Sequence, residues 1–375
     1  MKDLRLLQIV PSLESGGVEQ GTINVANFIA DCGHQSFISS KGGRMLRELN
    51  HKKVQHIELS VHSKNPLVMI NNINRVKKII KHNQINLVHV RSRAPAWSAY
   101  FACKNLCKMV STFHNVYGNE NFLKRFYNRG LSKVEKIVTI SEYVKDSIVD
   151  IYGIKRDKIV VIYRGVDTDF YDPNLYNETV YLRFYSKFHL PDDKKIILYP
   201  GRLTRWKGQI EFLDIIESLD MNKHICYFIG DIKNKSYFKK LENKINKRNL
   251  GSACKILGNI SKEEMRLMYK SADVVVSAPL KPEGFGRVIS EGLAMKKIVL
   301  SYNYGGAKEQ ISELDDLFSV TPNNKQELIS KINIALELEN DKKNKIGEFS
   351  RNLIKRKFSN KNMLDNYLQF YHKII

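Results

Sequence analysis

The sequence predicts an α/β chain of two doubly wound domains, and three observations carry that expectation. Short β-rich apolar runs alternate with amphipathic helical patterns along most of the chain, the mark of repeated βαβ units and parallel sheets. At 375 residues the chain exceeds the size at which a single core usually stops growing. A polar and aromatic stretch, 172–193, with Pro173 and Pro191 near its ends, separates two groups of runs.

In the first group the strand-like runs are 4–10, 87–90, 109–113, 136–140 and 159–163; in the second they are 195–199, 226–229, 254–257, 274–277 and 298–301. We therefore expect an N-terminal domain over 1–180 and a C-terminal domain over 190–358. The tail 359–375 reads as a helix capped by Ser359 or Asn360, with Leu364, Tyr367, Leu368, Tyr371 and Ile374 at helical spacing. Such an apolar stripe needs a surface to cover.

Composition narrows the class. Hydrophobic residues make up 43%, charged residues 27% and aromatics 10%, which is globular rather than disordered usage. No run of 18 apolar residues stands out, and the first apolar stretch reads as a buried strand. Five scattered cysteines without metal-ligand spacing fit a reduced, cytoplasmic setting. The net charge of +22 is the extreme value; it fits either an anionic partner, whether nucleic acid, an acidic membrane or a phosphorylated substrate, or a Lys-, Asn- and Ile-rich composition with no specific partner.

Three segments carry chemistry. After the first strand comes Ser15-Gly16-Gly17-Val18-Glu19, opening a helix to about Cys32. A Gly-Gly turn at a helix N-terminus offers backbone N–H groups to an anion. In the second half, Gly201-Arg202-Leu203-Thr204-Arg205-Trp206-Lys207-Gly208 lies between a strand and a helix. Its Arg202 and Lys207 are able to converge on a diphosphate, one as a fork and the other as a point charge. Most specific is Pro282-Glu283-Gly284-Phe285-Gly286-Arg287, followed by Glu291, directly after the run 274–277. Two carboxylates eight residues apart, around glycines that free a helix start, suit the diols of a nucleotide sugar, because each carboxylate oxygen accepts a hydrogen bond from a hydroxyl.

These motifs, in this order, resemble the family-4 retaining glycosyltransferases of GT-B fold, in which two Rossmann-like domains face a cleft and the C-terminal helix crosses back to the first. The resemblance spans nearly the whole chain and includes Thr112-Phe113-His114, Ser141, Arg164-Gly165-Val166-Asp167, Gly230-Asp231, Ile256-Leu257-Gly258 and Gly305-Gly306 with Glu309. It implies a hexosyltransferase that moves a sugar from a nucleotide diphosphate, GDP-mannose or a UDP-sugar, with no other cofactor. By the same resemblance, Gly16 and Gly17 lie against the donor phosphate and the acceptor, His114 meets the transferred sugar, and Arg202 and Lys207 hold the diphosphate. Glu283 takes the hexose and Glu291 the ribose; Gly284, Phe285 and Gly286 offer donors near the phosphate, and Leu257 and Gly258 flank the base.

The segments Ser63-Lys64-Asn65-Pro66-Leu67 and His89-Val90-Arg91-Ser92-Arg93-Ala94-Pro95 are similar to parts of bacterial lipopolysaccharide core glycosyltransferases, core mannosyltransferases among them. Gln20 and Asn115 depart from that pattern. Arg91 and Arg93, just past a strand, are placed to face an acidic acceptor group. The stretch 122–134 interleaves Phe122, Leu123, Phe126, Tyr127, Leu131 and Val134 with Lys124, Arg125, Arg129 and Lys133. It reads either as a basic amphipathic helix on an anionic membrane or as a packed helix with a solvated basic face.

The expected reaction is therefore hexose transfer to a lipid-linked anionic saccharide, most simply the lipopolysaccharide inner core, at the inner face of the cytoplasmic membrane. Other readings are a nucleotide-sugar epimerase of the same fold and a transferase using a soluble or other lipid acceptor. A phosphorylase-like enzyme would need a pyridoxal lysine, for which no motif is present. The basic residues are spread over both halves without a reading module, so no nucleic-acid partner is expected. Asp167 and Asp169 resemble a metal-binding diacid but sit in a turn segment, and no essential metal is expected.

Overall fold

A computed structural model of the chain describes residues 3–14, 16–63, 65–118 and 121–375. Ser15 of the glycine turn and Lys64 of the segment beginning at Ser63 lie outside the described residues. The chain divides into two compact units, Met1–Gly165 with Lys361–Ile375, and Val166–Asn360.

The first unit is a parallel sheet of seven strands, β1 (Arg5–Ile9), β2 (Gln35–Ser40), β3 (Val54–Glu58), β4 (Leu87–Val90), β5 (Lys108–Phe113), β6 (Lys136–Thr139) and β7 (Ile159–Val161), in the order β3-β2-β1-β4-β5-β6-β7. Its helices are α1 (Gly17–Asp31), α2 (Pro66–His82), α3 (Ala96–Cys103), α4 (Phe122–Arg129) and α5 (Glu142–Tyr152). Local sequence sets their ends. Asn65 caps α2 by accepting from the N–H of Leu67, and Pro66 stands at the first turn, where its missing N–H costs nothing. Ser141 caps α5, which Gly153 ends in the left-handed region at φ 65°. Helix α4 is shorter than the apolar spacing over 122–134 suggests: the chain tightens into a 3-10 turn at Gly130–Ser132, and Leu131 and Val134 turn into the core.

The second unit is a parallel sheet of six strands, β8 (Lys195–Pro200), β9 (His224–Ile229), β10 (Cys254–Gly258), β11 (Val274–Ser277), β12 (Ile298–Tyr302) and β13 (Ser319–Val320), in the order β10-β9-β8-β11-β12-β13. The helices are α6 (Glu178–Lys187), α7 (Gln209–Glu217), α8 (Lys235–Lys247), α9 (Lys262–Ser271), α10 (Arg287–Ala294), α11 (Gly305–Ile311), α12 (Lys325–Glu337) and α13 (Asn340–Lys357). The division between units falls at Gly165, ahead of the stretch 172–193, and that stretch is structured: α6 fills it and packs its buried Phe184 within the second unit. Buried Arg351 of α13 fixes the segment before α6. Its guanidinium donates to the carbonyls of Tyr171, Thr168 and Ala294 and to the carboxylate of Asp172.

The chain re-enters the first unit in α14 (Asn360–Ile374). Met363, Tyr367, Phe370 and Tyr371 join Leu4, Leu6, Val25, Ile29, Leu87, Val110, Val138 and Ile162 in one core. Burying each such side chain contributes about 1.5–3 kcal/mol relative to exposure, so the tail is part of the first unit's stability. One polar link runs through this core. The ring of His89 on β4 shares hydrogen bonds with Tyr371 Oη at 2.6 Å and with Thr112 Oγ1 on β5 at 2.7 Å.

Burial, with Arg91 nearby, holds His89 neutral well below the ordinary histidine value of 6.5. His114 is held down in the same direction by burial, Arg91 and Arg164. The unfolded chain takes up protons from about pH 6.5 downward, so below that pH it binds more protons than the folded chain. Stability is thus complete above pH 6.5 and falls as the pH drops, by up to about 1.4 kcal/mol per pH unit for each histidine. Urea titrations between pH 7.5 and 5 should show this slope, and His89→Phe should make it shallower while costing about 1–3 kcal/mol at pH 7.5 through the lost hydrogen bonds.

Candidate active site

In each sheet the strand order reverses once, between β1 and β4 in the first unit and between β8 and β11 in the second. At such a point the connections leave toward opposite faces, and a crevice opens beyond the carboxyl ends of the two strands. The residues singled out above fall mostly on these loops.

In the second unit, β8 leads into the loop of Gly201 and Arg202, then a 3-10 turn over Arg205–Lys207, and α7 begins after Gly208 at φ 80°. A Cβ at Gly208 would stand 2.8 Å from the carbonyl of Ala278, so only glycine brings the two loops this close. Arg202 is exposed, whereas Lys207 is 9% exposed. The Lys207 ammonium forms an ion pair with Glu283 from the loop after β11 and sits 4.8 Å from the centre of the Trp206 ring. Tyr199 Oη lies 2.6 Å from the Lys207 carbonyl and 3.1 Å from that of Ala278, tying the two loops together from beneath. The spacing of Lys207 and Glu283 in sequence gives no hint that they meet; the adjacency of β8 and β11 does it.

The loop of Glu283 is shaped from the side by α11. Gly306 donates its N–H to the Glu283 carbonyl at 2.9 Å, and a Cβ at Gly305 would stand 2.6 Å from that same oxygen. Fully buried Gln310 donates to the carbonyls of Phe285, Gly286 and Gly306. Gly286, at φ 89°, then starts α10 without a side-chain cap, and Gly284, Phe285 and Gly286 are all buried. Glu291, 7% exposed, is held by Tyr269 Oη at 3.0 Å and Arg287 Nη2 at 2.6 Å. Its charge pushes the Arg287 pKa up and adds to the burial that raises those of Tyr269 and Tyr171. Leu257 and Gly258 end the edge strand β10, two strands from the order reversal, with Gly258 in the left-handed region at φ 68°.

In the first unit, Gly16 and Gly17 follow β1, Arg91 follows β4, His114 follows β5 and Arg164 follows β7. The space beside Gly17 is filled by the Arg164 guanidinium, with which any Cβ at that position would collide. Arg91 is 2% exposed, its guanidinium 5.2 Å from the centre of the Tyr367 ring. Arg93 lies 4.1 Å over the Tyr117 ring and donates to Asn128 Oδ1 at 3.1 Å. The Arg91 head is thus covered by α14, and Arg93 is bound within its own unit. Both ring nitrogens of His114 are out of solvent and without a hydrogen-bond partner among the described residues.

Sequence reasoning did not single out Gln209, Gln310 or Arg164 as site residues. Gln209, fully buried, donates to the Arg202 carbonyl at 3.0 Å and accepts from Tyr237 Oη at 3.2 Å, fixing the loop that carries Arg202. A lone glutamine in a helix has no sequence signature for such a role. Arg164 was visible within its Arg-Gly-Val-Asp segment, but its reach to α1 was not.

Two parallel-sheet units bearing glycine-opened helix starts, a buried Lys–Glu pair and a second carboxylate on the following helix define the architecture of a sugar-nucleotide-type transferase fold. Comparison with known proteins agrees. The model for glycosyl transferases group 1 matches residues 183–353, and the one for glycosyltransferase family 4 matches residues 15–170. A crystal structure of a glycosyltransferase from Rickettsia africae is 38% identical with a TM-score of 0.91, covering 100% of this chain and 99% of that one. A glycosyltransferase of Methanocaldococcus jannaschii is 28% identical over 71% of this chain and 68% of its own length. Anabaena HepE, solved with UDP and glucose, shares the fold at 19% identity and a TM-score of 0.83, over 98% of this chain and 99% of its own. The chain belongs to the family-4 glycosyltransferases.

Gln310→Leu removes the donor shared by the Phe285 and Gly286 carbonyls of the loop and the Gly306 carbonyl of α11, and unsatisfied buried carbonyls cost about 1–3 kcal/mol. Urea denaturation should show a loss of that size, whereas Gln310→Glu, which keeps the length of the side chain but not its N–H donors, should cost at least as much.

Proposed function

We propose that the enzyme transfers a hexose from a nucleotide diphosphate sugar, with retention of configuration, to a lipid-linked anionic saccharide, the lipopolysaccharide inner core being the acceptor that best fits. The observation that carries the donor half is the meeting of Lys207 and Glu283 at the order reversal of the second sheet. A diphosphate draws Lys207 toward itself, with exposed Arg202 on the same loop and the N–H groups at the start of α10 as further donors. Glu283, released from the ion pair, accepts from sugar hydroxyls. Fixed positive groups at the diphosphate stabilise the charge that grows on the leaving group. The ribose role of Glu291 requires its carboxylate to share or exchange Arg287 and Tyr269. Mannose is the hexose that the core-transferase likeness favours, and GDP-mannose and UDP-sugars are both donors to be tried.

The acceptor half rests on the first unit and on charge. The net charge is +22. Helix α4 exposes Phe122, Leu123 and Phe126 between the exposed Lys124, Arg125 and Arg129, and Phe126 stacks on Trp97 at 4.8 Å. Apolar side chains among cations are what the interface of an anionic bilayer accommodates. No described helix is long and apolar enough to cross a membrane.

Arg202→Ala, Lys207→Ala and Glu283→Ala should each lower turnover by about 100-fold or more, by analogy with loss of a charge-stabilising group elsewhere. Circular dichroism should stay unchanged. Rates near normal in all three would remove the donor assignment.

Transfer from labelled donor to lipid A bearing acidic core sugars should exceed transfer to a neutral soluble glycan. Binding to anionic vesicles should weaken as salt rises, because exposed charges are screened beyond roughly 8 Å at physiological ionic strength. Equal transfer to the neutral glycan, with salt-independent vesicle binding, would show that the charge serves another purpose.

A further inference from the structure

At the amino ends of β5, β6 and β7, on the rim of the first sheet away from the loops of Gly17 and His114, two cysteines stand on the wall of a cavity that the proposed transfer does not use. The cavity measures about 370 Å³, within the range of small-molecule sites. Cys103, Cys107, Lys104, Lys133, Glu135 and Lys158 line it. The turn from α3 into β5 sets the two cysteines close together. The Cys103 carbonyl accepts from the N–H of Leu106 at 2.8 Å and from that of Cys107 at 3.2 Å, with Asn105 in the left-handed region at φ 62°. This reversal brings the two thiols into a shared hydrogen bond. Cys103 is 4% exposed, whereas Cys107 is half-buried and borders the open cavity. Cys226 and Cys254 face each other across β9 and β10 as well, but both are buried, which keeps reagents from them.

Charge on the cavity wall is predominantly positive. Lys104 and Lys133 are exposed, Lys158 is half-buried, and Glu135 is the one carboxylate among the described lining residues. Glu135 is turned to the backbone, accepting from the Met109 N–H at 2.8 Å, and Lys158 donates to a neutral partner, the Ser132 carbonyl, at 3.0 Å. Three lysines around one glutamate favour a ligand that brings carboxylates of its own. We propose that Cys103 and Cys107 form a reversible dithiol–disulfide couple whose reaction partner is a carboxylate-bearing low-molecular-weight disulfide taken into this cavity. Cys107 loses its proton to solvent, and its thiolate attacks one sulfur of the entering disulfide. A bond forms between Cys107 and that sulfur, the ligand's own S–S bond breaks, and one ligand thiol leaves. Cys103 then loses its proton to solvent and its sulfur attacks that of Cys107, so the second ligand thiol leaves as the protein disulfide closes. Two protein thiols are oxidised, and one small disulfide is reduced to two thiols. The order follows from the pair itself. The hydrogen bond to Cys107, then burial and the nearby Glu135 carboxylate, push the Cys103 thiol up, and so Cys107 reacts first. Closure ties the end of α3 to the start of β5.

The test treats the full reduced chain with oxidised glutathione at neutral pH, quenches with acid at intervals and locates the products by peptide mass spectrometry. A Cys103–Cys107 disulfide should form, and dithiothreitol should reverse it. Cys103→Ala should halt the reaction at a mixed disulfide of glutathione with Cys107, whereas Cys107→Ala should leave Cys103 unmodified. If Cys103→Ala fails to fold, early quenching of the unaltered chain decides the order, because the transient adduct should sit on Cys107. Lys104→Gln combined with Lys133→Gln should slow the reaction with oxidised glutathione about tenfold through loss of steering charge, and leave that with the uncharged disulfide of mercaptoethanol unchanged. Absence of the Cys103–Cys107 disulfide, or a first adduct on Cys103, overturns the couple. Equally fast modification of buried Cys226 or Cys254 points to unfolding and overturns it too. Equal rates for both small disulfides in the lysine variant and the unaltered chain overturn the carboxylate-bearing partner.

Discussion

The reversal of strand order in each parallel sheet is the constraint on which the rest of the molecule depends. Right-handed crossovers force the connections after β1 and β4, and after β8 and β11, to opposite faces of their sheets. Loops that leave in opposite directions cannot cover the strand ends between them, so helix N-termini and loop side chains converge there. Lys207 and Glu283 meet for this reason although they are far apart in sequence. The same geometry brings Arg91 against α1 at Gly21.

A crevice of this kind is useful only if its loops hold still, and the structure holds them with buried amide and phenol groups rather than with apolar packing. Gln209, Gln310, Tyr199 and Tyr269 each bond to a loop carbonyl or a site carboxylate from within the core. Glycines let the loops approach: Gly208 clears the Ala278 carbonyl, and Gly305 clears the Glu283 carbonyl. These choices give the loop carbonyls partners in the interior, which matters because an unsatisfied one costs about as much as several surface contacts contribute.

Much of this was legible in sequence, and the reasons differ by element. The runs that became β4, β11 and β12 are mostly apolar and buried along their length, as parallel strands covered on both faces are, so they stand out. Strand β2 is as buried as they are, yet it reads Gln-Ser-Phe-Ile-Ser-Ser, and its serines hide it. Strand β3 is an edge strand with mixed character, and β13 has two residues, too short to register. Helix α6 was masked by the prolines around it, which mark ends of elements as readily as a linker. The glycine motifs and their strand–loop–helix setting were plain because backbone conformation demands glycine. Side-chain destinations were not: spacing places Arg91 after a strand but does not say that α14, from the far end of the chain, will cover it.

The two units handle charge in opposite ways, and this bears on what each is suited to bind. In the second unit two site cations are already matched with carboxylates, Lys207 with Glu283 and Arg287 with Glu291, and Arg202 stands exposed beside them. A ligand there must offer both signs of interaction at once, negative charge for the lysine and hydroxyl donors for the freed carboxylate, or it leaves a charge stranded. A bare anion meets that demand poorly, whereas a diphosphate joined to a sugar meets it well. In the first unit Arg91 is buried near His114, which burial and the neighbouring arginines keep neutral. The same few charged residue types are thus paired at Lys207 and Glu283 in one sheet, whereas in the other Arg91 is buried with its Nε and Nη1 meeting no acceptor among the described residues.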